Sequence, residues 1–295
     1  MVNKHISGLS LLEVSLVLLV IGLIIGGVLV GQNLIDAAAI RAQVAQIDRY
    51  NTAIKTFEQK YDALPGDISA SMVTKYGFTT LPTRAGTAGR GDGNGIIQGY
   101  AYVTSVEAGL PCAGENAWVW EDLSANSGLI EGNFNTATDS IYTSAIFAPN
   151  ITKILPTAKI GNANYVYVYA NSSNLNYFGL SSIYEIATNG YIYDGSLSPG
   201  LTVAQAYAID TKIDDGLPQY GNVIAQYLNL TLAGNTVWAA GGGTIGAGSG
   251  VNPTTTATPG SSTTCYDNGN VTGVMQYSTE QSGGGQNCAL SFQIK

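Results

Sequence analysis

Gly8-Leu9-Ser10-Leu11-Leu12-Glu13 opens the stretch that decides the fold, and an apolar run carries on from it to Gly31. A short polar head with Lys4 precedes Gly8. Glu13, five residues past Gly8, is the one ionisable group between Gly8 and Gly31. With the apolar residues just before Glu13, the uncharged run approaches the roughly 20 residues that cross a bilayer as a helix. A carboxylate inside such a segment costs about 2.5–3.5 kcal/mol on insertion scales, so it marks a functional position.

Three readings fit this stretch. A secretory signal peptide accounts for the basic head, but the apolar run is long and no clear A-x-A site follows it. A plain signal anchor leaves Glu13 without a role. A leader ending at Gly8 accounts for leader length, Gly, Glu spacing and uncharged run together. On those residues the chain resembles the type IV pilin and pseudopilin family. The resemblance implies that a membrane aspartyl peptidase cuts after Gly8 and methylates the new amino terminus on Leu9. It also implies that Glu13 directs assembly. The family motif usually has Phe or Met after the cut, where this chain has Leu9. The family often has a Pro further along the helix, and this chain has none there.

The composition of the 295 residues bounds the rest. Only 11% are charged, 45% are apolar, and there are 37 Gly and 18 Tyr. This is a folded, turn-rich and β-rich composition. The net charge of −8 argues against recognition of nucleic acid through its phosphates. Lys4 is the single Lys or Arg before Arg41, so the positive-inside bias puts the head of the sequence in the cytoplasm. The remainder then lies outside the inner membrane, where disulfides persist.

Beyond Gly31 the helical pattern continues. Ile40, Val44, Ile47, Tyr50, Ile54, Phe57 and Tyr61 recur in steps of three and four, one stripe of an amphipathic helix. Arg41, Gln46, Asp48, Arg49, Lys55, Gln59 and Lys60 take much of the remaining surface. A helix from about Ser10 to Tyr61 is about 78 Å long, far more than a soluble domain of this size needs. Gly22, Gly26, Gly27 and Gly31 are weak helix formers that let the lower half bend, melt locally or pack closely. Ala63-Leu64-Pro65-Gly66-Asp67 ends the helix. A short helix is expected near Ile68 to Tyr76.

Gly89-Arg90-Gly91-Asp92-Gly93-Asn94-Gly95 reads as a glycine loop. It also contains an adhesion-type Arg-Gly-Asp tripeptide, and Asp92 and Asn94 offer calcium ligands. The terminal Glu and other oxygens of an EF-hand are missing. Glu115 to Ala125 reads as a helix stopped at Gly128. Tyr165 to Tyr169 reads as a strand in a half-buried sheet. Ile183 to Ala187 and Gly190 to Tyr193 read as a strand pair around a turn at 188–190. Leu201 to Ile213 reads as a helix capped by Thr202. Val223 to Ala225 and Ala289 to Ile294 read as strands. The segments 60–67 and 208–221 look like phrases found in large-domain proteins with prepilin-type leaders.

Asp210, Asp214 and Asp215 form the densest carboxylate cluster. Major pseudopilins bind calcium in their C-terminal part, so the resemblance makes these three candidate calcium ligands. A solvated helix end is the other reading. No cofactor is otherwise expected. Cys265 and Cys288 bracket a polar C-terminal segment, and the resemblance implies a disulfide between them, as pilins close a comparable loop. Closing 23 positions stabilises by about 3 kcal/mol in the chain-entropy model. Cys112 is left as a buried thiol.

No enzyme is expected. The single histidine is His5, inside the leader, so Ser-His-Asp, Cys-His and His-zinc chemistry have no base or ligand in the remaining chain. Gly241, Gly243 and Gly246 have dinucleotide-fingerprint spacing, but no helix pattern follows. Carboxylate-only hydrolysis stays open.

The fold class expected is α+β: a long N-terminal helix, transmembrane then amphipathic, on a β-rich pilin-like head. The divisions are a leader at 1–8, a membrane or filament-core half-helix at 9–31, an amphipathic half at 32–62, and a head at 63–295 with a low-complexity loop at 239–264. The resemblance implies a structural subunit of a type IV pilus or type II secretion pseudopilus. Its partners are like subunits, the prepilin peptidase and the inner-membrane assembly platform, and its location is the bacterial inner membrane, then the filament. The alternative is a membrane-anchored binding protein or adhesin that never polymerises. A bulky residue replacing Gly8 should leave uncleaved chain in the membrane. Intact-mass measurement of that variant tests this, and normal maturation would overturn the leader assignment.

Overall fold

The computed structural model describes residues 11–78, 84–99, 112–135, 138, 142–161, 163–193, 200–228, 236–239, 265–267, 275–279 and 287–295. Gly8, Leu9 and nearly all of the low-complexity loop lie outside these residues.

Helix α1 (Leu11–Tyr61) runs for 51 residues without a break. Its lower half is unburied among the described residues: Leu11, Leu18, Leu23, Val30 and Ile35 are all more than half exposed. Its upper half buries Ile40, Ile47, Tyr50, Ile54, Phe57 and Tyr61, the stripe that the three–four spacing specifies. Two glutamines join that stripe. Gln46 belongs to the buried face, not the solvent face: its amide donates to the Thr157 carbonyl at 3.0 Å and to the Tyr50 hydroxyl at 2.9 Å. Gln43 accepts from the Lys159 N–H at 2.8 Å. The helix passes through Gly22, Gly26, Gly27 and Gly31 as regular α-helix, and a Cβ added at any of them meets nothing within 4 Å. Of the bending, local melting and close packing that these glycines allow, none interrupts the helix, since propagation inside a long helix adds a hydrogen bond for each residue fixed. Asp62 turns the chain with φ 54°.

Among the described residues helices α2 (Ala70–Tyr76), α3 (Glu115–Glu121) and α4 (Val203–Ile213) follow, with a 3-10 turn over Asn150–Lys153, and α3 continues as a π-helical turn over Asp122–Asn126. Every α3 residue is buried. Thr202 caps α4 through a box with Gln205.

The main sheet is antiparallel. It takes β2 (Asn164–Ala170), β3 (Asn176–Ser182), β6 (Val223–Ile224) and β11 (Leu290–Gln293) in the order β2-β3-β11-β6. The last strand thus inserts between two earlier ones. Short pieces accompany it. β1 (Ile146–Phe147), β4 (Glu185–Ile186) and β5 (Ile192–Tyr193) form one sheet. β7 (Gln226–Leu228) pairs with β8 (Thr236–Trp238), and β9 (Tyr266–Asp267) with β10 (Gln276–Tyr277). Together with α1 this is an α+β arrangement.

The tyrosine strand departs from expectation. All seven β2 residues are buried, not alternate ones. Phe178 of β3 meets Tyr50 of α1 and Trp120 of α3, which covers the first face. Strand β7 covers the tyrosine face. The Tyr167 hydroxyl accepts from the Leu228 N–H at 2.9 Å. The Tyr169 hydroxyl donates to Ser291 at 2.8 Å, and Ser291 donates to the Gln226 carbonyl at 2.7 Å. A tyrosine can be buried in this way because its apolar ring packs while its hydroxyl keeps a partner.

Gly179 lies opposite Tyr167 in the β2–β3 register. A Cβ there would sit 2.2 Å from the Tyr167 ring. Gly179→Ala should therefore destabilise the head by about 1–3 kcal/mol, the usual cost of overpacking. Chemical denaturation measures it, and the cost should shrink when Tyr167→Ala is combined with it. An equal cost in both backgrounds would show that the ring is not the obstacle.

Candidate functional site

The lower half of α1 is the first candidate. It contains a window of mean hydropathy 2.8, none of it buried, and the helix is long and apolar enough to cross a membrane. Glu13 sits in the first described turn, on an exposed face. Gly8 and Leu9, the expected cleavage pair, lie outside the described residues.

At the other end of the chain Cys265 and Cys288 form a disulfide, with Cα atoms 5.1 Å apart and a sequence separation of 23. Cys288 also exchanges both backbone hydrogen bonds with Leu201, at 2.8 and 2.9 Å. The bridge therefore fastens β9 to the segment that leads into β11, which pairs in turn with the chain just before α4. Cys112 is a free, fully buried thiol, and burial pushes its pKa far up. It is unreactive as a nucleophile for that reason.

The structure brings Asp210, Asp214 and Asp215 together, with one oxygen of each within 4.8 Å of the others. Each also has a local role. Asp210, fully buried, accepts from the Gly216 N–H at 3.2 Å and the Tyr277 hydroxyl at 2.9 Å. Asp214 accepts from the N–H groups of Asn222 and Val223 and from the Asn222 side chain. Asp215 accepts from the Leu217 N–H at 2.8 Å. The cluster closes the loop between α4 and β6.

A second group was only partly legible in the sequence. Asp67, Asp92 and Glu115 meet within 4.8 Å under the glycine loop. Asp67 accepts from the N–H groups of Gly93 and Gly95, at 2.7 and 2.8 Å. Glu115 accepts from Gly91 and Gln98, at 2.7 and 3.0 Å. Two buried carboxylates thus replace the backbone partners that this loop does not find in a helix or sheet. Gly91 has φ 73°, and a Cβ there would lie 2.6 Å from the Ile68 carbonyl. The loop reading accounts for the tripeptide, whose middle residue is clamped this way. Asp92 and Asn94 bond each other and the following N–H groups.

Sequence reasoning missed a third arrangement entirely. Arg84 and Asp122, both buried, pair through two hydrogen bonds of 2.7 and 3.1 Å. Asp122 also accepts from the Gly66 N–H at 2.7 Å and the Asn126 side chain at 2.9 Å. The Arg84 guanidinium lies 4.8 Å over the Trp118 ring. The Pro65-Gly66-Asp67 turn is therefore tied to α3 through Asp122 and to the glycine loop through Asp67. The Pro-Gly-Asp phrase was the one visible trace of both.

Burial dominates the electrostatics of these groups. It raises Asp67 to about 6, helped by nearby Asp92, and Glu115 to about 8, helped by Asp67 and Asp92. It raises Glu121 and Asp210 to about 7, with Asp122 beside the first and Asp215 and Asp214 beside the second. Asp214 moves the other way: slight burial raises it, but the hydrogen bonds from Asn222 and Val223 prevail and hold it low. A carboxyl raised in the folded state keeps a proton that the unfolded chain has released. The stability it contributes is full in acid and is lost as pH rises from about 4 to about 8. Asp214 contributes stability that is lost in acid. The thermal midpoint of the full chain in detergent should therefore fall as pH rises from about 5 to about 8.5. Glu115→Gln should flatten the upper part of that fall. A midpoint that climbs over the same range would contradict this account.

The long apolar helix on a small β-rich head with a disulfide is loosely pilin-like. No protein-family model, curated protein or solved structure matches the chain.

Proposed function

We propose that this chain is the structural subunit of a filament of the type IV pilus or type II secretion pseudopilus kind. On this reading it is anchored first in the bacterial inner membrane with its head outside the cytoplasm, then drawn into the filament core. One observation carries the reading: α1 leaves the head as the same uninterrupted helix and exposes its entire apolar lower half. Apolar side chains in that number require lipid or other copies of the helix to cover them. The Gly8–Glu13 spacing selects a processed and assembling subunit over a static anchor. The role is structural, with like subunits, a prepilin peptidase and an assembly platform as partners. It calls for neither catalysis nor a resident cofactor. Calcium at Asp210, Asp214 and Asp215 is an accessory to this reading.

Glu13 has a defined part in it. Cleavage after Gly8 creates a positive amine on Leu9, one helical turn from Glu13 in the same low-dielectric layer. Pairing the carboxylate with the amine of a neighbouring copy offsets its desolvation and sets the axial register. Glu13→Gln should insert and be cleaved normally, since a neutral amide is tolerated in lipid. Its recovery in sheared filaments should drop by at least about tenfold, the loss expected when about 1.4 kcal/mol of pairing goes. Wild-type recovery would remove Glu13 from assembly and favour the membrane-anchored, non-polymerising binding protein.

A further inference from the structure

The small sheet β1-β4-β5 buries only one of its faces. Ile186 and Ile192 face the core. On the other face Phe147, Glu185 and Tyr193 are direct register partners, one from each strand. Phe147 is 42% exposed and meets the 51% exposed Tyr184 edge-to-face at 5.5 Å. Glu185 forms no ion pair or side-chain hydrogen bond among the described residues. A carboxylate flanked by aromatic rings is half of a cation site: the carboxylate supplies charge and the rings supply negative faces.

The complementary half is on α1. Arg49 pairs with Glu131 at 3.8 Å, and Lys60 lies over Tyr61. Arg41, exposed at the foot of the head, has neither an ion pair nor a ring contact among the described residues. Its planar guanidinium can bind a carboxylate through two hydrogen bonds while lying on a ring.

We propose that the Phe147–Glu185–Tyr193 row docks a second copy of this chain, seating that copy's Arg41 on Glu185 between the rings. The two surfaces differ, one a sheet face and the other a helix face. Contact between them is head-to-tail, and such contacts propagate instead of closing into a dimer. The inference rests on the filament reading and names the surfaces through which heads meet.

Co-expression of a Glu185→Cys chain with an Arg41→Cys chain tests it, because neither chain holds both cysteines. Mild oxidation should give a reducible band of twice the chain mass, which either variant alone lacks. Glu185→Arg should cut sheared-filament recovery by about tenfold, and adding Arg41→Glu should restore it, as one charge-assisted contact predicts. If wild-type filaments form, yet the mixed band is absent and Glu185→Arg assembles normally, the docking row is wrong and the filament reading stands. A mixed band without wild-type filaments keeps the docking row and overturns the filament reading. Absence of both overturns both. Rescue by Lys55→Glu in place of Arg41→Glu would overturn the choice of Arg41.

Discussion

A helix satisfies its own backbone hydrogen bonds, so α1 can leave the head with no partner for its peptide groups. Its side chains have no such independence. The 21 Leu, Ile, Val and Gly residues between Leu11 and Ile35 then face whatever surrounds them, and water is the least favourable choice. That constraint orders the molecule. The upper half of the same helix must hold the head firmly, because any load on the lower half passes through it. It does so with an apolar stripe and with Gln43 and Gln46, whose amides bond the 157–159 segment. Placing those amides among apolar residues gives the interface a fixed register, since shifting it would bury them without partners.

The head uses carboxylates where many domains use sheet ladders. Asp122 draws Arg84, Gly66 and Asn126 onto one side chain. Asp67 and Glu115 each accept two N–H groups from the 91–98 loop. A glycine loop has little apolar surface to bury, so carboxyl acceptors are an effective way to order it. The cost is electrostatic. Asp67, Asp92 and Glu115 lie close together, and their mutual repulsion adds to desolvation. In Asp122 the arginine removes that problem, and the guanidinium gains a ring to lie on.

The C terminus closes the fold late. Strand β11 lies between β3 and β6, and the disulfide holds the segment just before it. The Tyr169–Ser291 hydrogen bond joins residues 122 positions apart. A sheet completed by its last strand stays open until the whole chain is present.

The sequence by itself determined the elements whose signals are local. The apolar run, the three–four stripe, the Thr202 cap, the Tyr165–Tyr169 strand and the turn at 188–190 each act over a few residues, and each is found where its pattern lies. The Gly8–Glu13 spacing, on which the proposed function leans, is likewise a property of the sequence alone. Tertiary structure decided what local patterns cannot hold. Gln46 counts as polar on a helical wheel, and only the approach of Thr157 makes it a buried contact. The tyrosine face of β2 reads as half-exposed until β7, some sixty residues on, covers it. Arg84 and Asp122 carry no mutual spacing signal, and Asp67, Asp92 and Glu115 come from three separate segments. Their neighbours are set by chain crossings, and the free energy of a buried charge depends on those neighbours far more than on the residues beside it in sequence.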